Sequence, residues 1–190
     1  MLLEIIHLLL NIVVSIVAGS CLLRAFMHFL SIRTSPGSGN PFAALIFPVT
    51  DWLVLPLRKL LPHWGKIDLA SILGALFAII FKNIIIDLLR GFLSFNISVL
   101  LINCIFDVFS IFLSGITGLV FINILLSWVQ NNSPTQYYIS LLVEPLLSPI
   151  RNKLPSSSGL DFSPIILLVL IQLLEIVLSH LRNLFIAIVF

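Results

Sequence analysis

The sequence predicts an all-α membrane protein: four transmembrane helices in two tandem parallel repeats, each built as span, interfacial amphipathic segment and span. Composition is the first of three observations behind this. The chain is 59% hydrophobic and only 9% charged, with a mean hydropathy of +1.19, whereas soluble chains carry about 25% charged residues. The second is the presence of four apolar runs, each long enough for the roughly 20 residues that a span requires. The third is an internal echo. An ungapped shift of 93 positions carries Asp51 onto Glu144, and with it Pro41 onto Pro134, Pro56 onto Pro149, Arg58 onto Arg151, Pro62 onto Pro155 and Asp68 onto Asp161. Prolines, arginines and aspartates are scarce here, so their coincidence marks a repeat.

The first repeat covers residues 1–96 and the second 97–190. The first span runs over residues 2–30, with Glu4, His7, Asn11 and Ser15 on one stripe at 100° per residue. Arg24 and His28 lie on another face near its far end, where a long side chain snorkels to the interface. The apolar run is too long for a signal peptide, and no basic residue precedes it, so this span is expected to be retained. Ser35-Pro36-Gly37-Ser38-Gly39-Asn40-Pro41 then stops the helix.

Residues 42–63 are the first interfacial segment. Pro48, Pro56 and Pro62 argue against one straight helix, so the expectation is short helical pieces lying in the interface, or else a re-entrant dip. The second span, residues 67–92, carries the small stripe Ser71, Gly74, Ala75 and Ala78 together with Lys82, and Asp87 and Arg90 could pair at its end. The third, residues 97–129, would be about 50 Å long at 1.5 Å per residue and must tilt, protrude or bend, with Ser114-Gly115 and Thr117-Gly118 the natural place. Asn103, Asp107, Ser110, Ser114 and Thr117 share one stripe of it. Residues 134–155 are the second interfacial segment. The fourth span, residues 163–189, lines one side with Gln172, Glu175, Ser179 and Arg182.

Two spans per repeat give both repeats one orientation and put both interfacial segments on one side. Arg33, Arg58, Lys59, Lys66, Arg151 and Lys153 fall on that side, against Arg90 and Arg182 on the other, with Lys82 inside the nearby span. The positive-inside rule therefore makes the segments cytoplasmic and puts both termini on the other side of the membrane, in a multi-pass protein.

Acid-Pro-Leu-Leu-x-Pro-Ile-Arg-x-x-Leu-Pro at 144–155, Asp161-Phe162-Ser163-Pro164 beyond it, Ser127-Trp128 and Ser133-Pro134 before it, and Asn40-Pro41-Phe42 in the first repeat resemble the YggT family of small bacterial integral membrane proteins. The first repeat departs from the motif, with Trp52 where the second has Pro145 and Ala70-Ser71 in place of Ser163-Pro164. The resemblance implies an inner-membrane protein linked to osmotic or envelope stress. It also implies kinship with the YlmG branch, associated with cell division and nucleoid distribution, and with a plastid relative associated with haem attachment to a cytochrome b. It supplies no agreed catalytic mechanism.

Two constellations are candidates for function. Asp51, Pro56 and Arg58, with their counterparts Glu144, Pro149 and Arg151, form the first. Each arginine follows its acid by two helical turns and could anchor its segment among anionic headgroups or contact a membrane-protein partner, a second copy included. Lys82, Asp107 and Glu175 form the second. Charges inside spans cost about 2.5–3.5 kcal/mol each on the lenient insertion scale and should face the bundle interior, either pairing to hold helices together or serving a channel or ion-coupled transporter. Transport finds little support in the spans, which lack the broken-helix pattern of many carriers.

Catalysis, cofactors and metals find no support. His7, His28, His63 and His180 are scattered, Cys21 and Cys104 sit in apolar runs without CxxC spacing, and phosphate-loop, GxSxG and HExxH motifs are missing. His63-Trp64 reads as an interfacial pair. The net charge of +2 gives no reason to expect nucleic-acid contact. The chain reads as a non-enzymatic membrane protein with lipid and protein contacts, the small transporter being the alternative.

Overall fold

A computed structural model describes residues 1–32, 40–61, 65–89, 91, 96–129, 133–153 and 161–189. The expectations placed on Arg33, residues 35–39, Pro62, His63, Trp64, Arg90 and residues 154–160 fall outside the described residues. Six α-helices follow in order: α1 (Leu2–Phe29), α2 (Pro41–Leu60), α3 (Leu69–Leu89), α4 (Ile97–Val129), α5 (Pro134–Arg151) and α6 (Ser163–Val189). There is no strand among the described residues. Five helices, α1, α2, α3, α4 and α6, are long and apolar enough to cross a membrane. That set contains the four expected spans and adds α2.

The two proline-containing segments expected as short pieces are each one continuous helix, α2 and α5. Their starts are built alike. The Asn40 side chain accepts from the Phe42 amide with Pro41 at the first helical turn, and the Ser133 side chain accepts from the Gln136 amide with Pro134 in the same place. Pro48 and Pro56 lie inside α2, and Pro145 and Pro149 inside α5. All four are on the exposed face. Each removes one backbone hydrogen bond on that face. The opposite face holds the helix in place. Ile46, Thr50 and Val54 of α2 are buried, as are Ile139, Val143 and Leu147 at the equivalent positions of α5. Burying such side chains contributes about 1.5–3 kcal/mol each, enough to offset a lost bond.

Helix α1 packs on α3, α4 packs on α6, and α3 meets α4 between the two pairs. Helices α2 and α5 lie against their neighbouring pairs and touch each other. Two cores result. One gathers Cys21, Val54, Ala75, Ile79 and Cys104 from the first four helices. The other gathers Met27, Val120, Leu142, Leu147 and Ile171 around α5. Close packing explains Gly74, where an added Cβ would lie 3.4 Å from Val54 Cγ2 and 3.6 Å from Cys21 Sγ. The outward surfaces of the apolar helices are mostly apolar, as a hydrocarbon solvent favours.

Candidate functional site

At the end of each α2-type helix an arginine reaches the aspartate that precedes the next long helix. Arg58 Nη2 lies 2.5 Å from Asp68 Oδ2. In the second half Arg151 donates from Nη2 (2.6 Å) and Nε (3.0 Å) to Asp161 Oδ2. Both aspartates also serve the helix they precede. Asp68 accepts from the Ser71 amide (3.3 Å) and hydroxyl (2.9 Å), and Asp161 accepts from the Ser163 amide (3.0 Å). Each carboxylate thus joins the end of one helix to the start of the next, near free amides that favour an anion.

The two clasps differ in environment. The Asp68 side chain is 6% exposed, whereas Asp161 is 42% exposed. Burial presses the Asp68 carboxyl upward, but the Ser71 hydroxyl, the Arg58 charge and the Ser71 amide outweigh it and hold it below the ordinary value. Asp161 is likewise held low, with burial opposed by Ser163 and Arg151. The hydrogen bond from Arg151 to Asp161 leads in raising the guanidinium above its ordinary value.

The acids seven residues upstream take different partners. Glu144 Oε1 accepts from Arg151 Nη1 at 2.8 Å, so Arg151 sits between two carboxylates. Asp51 instead binds Arg24 Nη1 at 2.6 Å. Arg24 also donates to Thr50 Oγ1 at 2.9 Å and lies 4.6 Å over the Phe47 ring. Its expected snorkelling is not found; the residue is buried, because α2 brings a carboxylate, a hydroxyl and a ring to it. Pro56 and Pro149 sit exposed two residues before the clasped arginines.

A second cluster lies within the apolar helices. Lys82 of α3 donates to Asp107 Oδ2 of α4 at 2.8 Å, and Arg182 of α6 donates to Asp107 Oδ1 at 3.1 Å. Arg182 also reaches Asn103 Oδ1 at 3.0 Å, and Asn83 reaches Asp107 at 3.4 Å and the Cys104 sulfur at 3.5 Å. One carboxylate holds two cations and ties three helices. Glu175 does not join it; this half-exposed side chain meets the Ser114 hydroxyl at 3.4 Å. Glu4 is exposed near the start of α1, where it pairs with the Met1 amino group. His7 and Asn11 hydrogen-bond at 3.1 Å, and with Glu4 they line a groove of about 400 Å³ between α1 and α3. Among the described residues no group of three or more His, Cys, Asp or Glu could hold a metal ion.

Four ion pairs, the two clasps among them, escape a sequence reading. Asp68 and Asp161 stand out as repeated residues, and each follows its arginine by the same ten positions, which could have signalled the clasp. The Arg24–Asp51 and Arg182–Asp107 pairs join residues 27 and 75 positions apart, with no local signal.

The duplication of the clasp has a counterpart in sequence comparison, where CCB3/YggT matches residues 3–89 and again 102–182. The chain belongs to the CCB3/YggT family. Among its relatives, the uncharacterized protein YggT of Escherichia coli is 37% identical over 142 residues, 72% of this chain and 71% of the relative. An uncharacterized protein of Pseudomonas aeruginosa is 36% identical over 162 residues, 84% and 82% of the two chains. One from Haemophilus influenzae is 32% identical over 157 residues, 81% and 80%. No solved structure matches. Membership in CCB3/YggT and the apolar helices make this a multi-pass membrane protein, and neither the family description nor these relatives' names carry an enzyme activity.

Proposed function

We propose that this is a non-enzymatic protein of the bacterial inner membrane whose two interfacial helices, α2 and α5, form a cytoplasmic platform for anionic headgroups and a membrane-protein partner. In this reading α1, α3, α4 and α6 are the four spans, in two parallel repeats with periplasmic termini. The observation that carries it is the repeated clasp. Arg58–Asp68 and Arg151–Asp161 fasten the ends of two proline-containing helices to the starts of α3 and α6 at the same spacing. Exposed prolines keep the outer face of each helix hydrated. Exposed Lys59, Lys66 and Lys153 beside the clasps supply headgroup contacts at about 1 kcal/mol each near an anionic surface, with Arg58 and Arg151 sharing their charge between carboxylate and phosphate. The biological role is tolerance of osmotic or envelope stress, and it rests on the family resemblance.

The alternative, a small channel or ion-coupled transporter using Asp107 and Glu175, draws on Asp107 lying inside the bundle. The pairing of that carboxylate with two cations favours a structural role. Purified protein in liposomes and a stress assay in cells separate the two. Proton or ion flux lost in Asp107→Asn or Glu175→Gln contradicts the platform. Absence of flux, with stress tolerance lost in the Arg58→Ala/Arg151→Ala double variant, supports it.

A further inference from the structure

The least covered surface is the outer side of α4 and α6. Only 11% of the most apolar window of α4 and 6% of that of α6 is buried, against 22% for α1 and 33% for α3. An apolar surface would need no cover in lipid, but a polar seam crosses this one. Ser110 and Ser114 of α4 are exposed beside Gln172, Ser179 and Asn183 of α6, with half-exposed Glu175 between them. The seam is deep: Glu175 lies about 18 Å along α6 from its start at 1.5 Å per residue. Ser179 satisfies itself on the Ile176 carbonyl at 2.8 Å. Glu175 has only the long 3.4 Å contact with Ser114, and Gln172 makes no side-chain hydrogen bond among the described residues. Acyl chains offer such groups neither donor nor acceptor.

We propose that this α4–α6 face is where two copies of the chain meet, related by a two-fold axis along the membrane normal. The face is complementary to itself. Copies in one membrane share an orientation, so a two-fold axis beside α6 brings like depths together. Gln172 and Glu175 are three residues apart, about one turn, so the amide of each copy can donate to the carboxylate of the other. Symmetry makes each such bond twice and closes the assembly at two. The Ser110 and Ser114 hydroxyls allow close approach and add donors at the same depth. The contact lies in the spans and is separate from the interfacial platform.

The test uses the full chain in liposomes, with the buried Cys21 and Cys104 changed to alanine and folding checked by circular dichroism. Ser179→Cys, on the seam, should give a disulfide-linked dimer under mild oxidation. Val177→Cys, exposed on the opposite side of α6, should not. Single-molecule photobleaching without cross-linking should show a dimer that Gln172→Leu weakens about tenfold, equivalent to about 1.4 kcal/mol. Glu175→Gln, which keeps a hydrogen-bonding group, should weaken it less, and Arg58→Ala/Arg151→Ala should leave it intact. Monomers at every protein-to-lipid ratio, cross-linking at Val177→Cys instead of Ser179→Cys, or an adduct of Ser179→Cys in native membranes only with a different protein would each overturn the proposal.

Discussion

Replacing Asp107 by asparagine removes the one carboxylate that Lys82 and Arg182 share. The side chain keeps its size, so the loss is electrostatic. Lys82 is 10% exposed and would be left as an isolated buried ammonium, while Arg182 at 37% is better placed to find water. Stranding one partner of a buried pair costs about 3–5 kcal/mol, and a partly exposed one about 0–1 kcal/mol, so Asp107→Asn should destabilise by about 3–5 kcal/mol. Reversible unfolding in mixed micelles, followed by circular dichroism, measures this. The pairing also predicts its own rescue. Lys82→Met/Asp107→Leu should recover at least about 2 kcal/mol relative to the sum of the single changes, because an apolar pair of similar volume often substitutes for a buried ion pair without loss. A cost below about 1 kcal/mol for Asp107→Asn, or additivity in the double variant, would refute the claim that this carboxylate holds α3, α4 and α6 together.

The two clasps should differ in strength. A double-mutant cycle on Arg151 and Asp161, both more than two-fifths exposed, should give a coupling of about 0.2–1 kcal/mol, while Arg58–Asp68, with its buried acid, should give more. Stability should also depend on pH through these acids. Both carboxyls are held below their ordinary value in the folded chain, so their contribution is fully present above the unfolded value of about 3.9 and is lost as pH falls through the folded value. Micellar unfolding midpoints should therefore vary less below about pH 4 in Asp68→Asn/Asp161→Asn than in the parent. At Gly74, alanine should be accommodated, because its Cβ meets neighbours at 3.4–3.6 Å, but leucine should cost about 1–3 kcal/mol by forcing α2 away from α3. Thermal unfolding of the two variants checks the contrast.

The helical regions were legible because their signals are dense. Apolar runs placed α1, α3, α4 and α6 within a few residues, and the repeated prolines and arginines located α2 and α5. Continuity of α2 and α5 was not legible, since a proline's effect depends on which face carries it. Pro48, Pro56, Pro145 and Pro149 all face outward, which only the packed bundle reveals. The site was legible in part. Arg58, Arg151, Lys82 and Asp107 each form ion pairs, and Glu144 meets Arg151 across the expected two turns. Asp51 goes to Arg24, and Glu175 stays apart from Lys82, because partner choice is set by the packing of α1 on α2 and of α4 on α6. Such distances along the chain leave no periodic trace.

The central claim is that both interfacial helices lie along one face of the membrane, and labelling of single cysteines at positions 38, 59 and 153 tests it most directly. Position 38 precedes α2, Lys59 is at its end, and Lys153 follows α5. With a membrane-impermeant maleimide on intact spheroplasts and on inverted vesicles, the account predicts that all three react only in the inverted vesicles. Reaction of position 38 and Lys59 from opposite sides would make α2 a fifth span, and reaction of Lys59 and Lys153 from opposite sides would break the parallel repeat. Either result contradicts the platform.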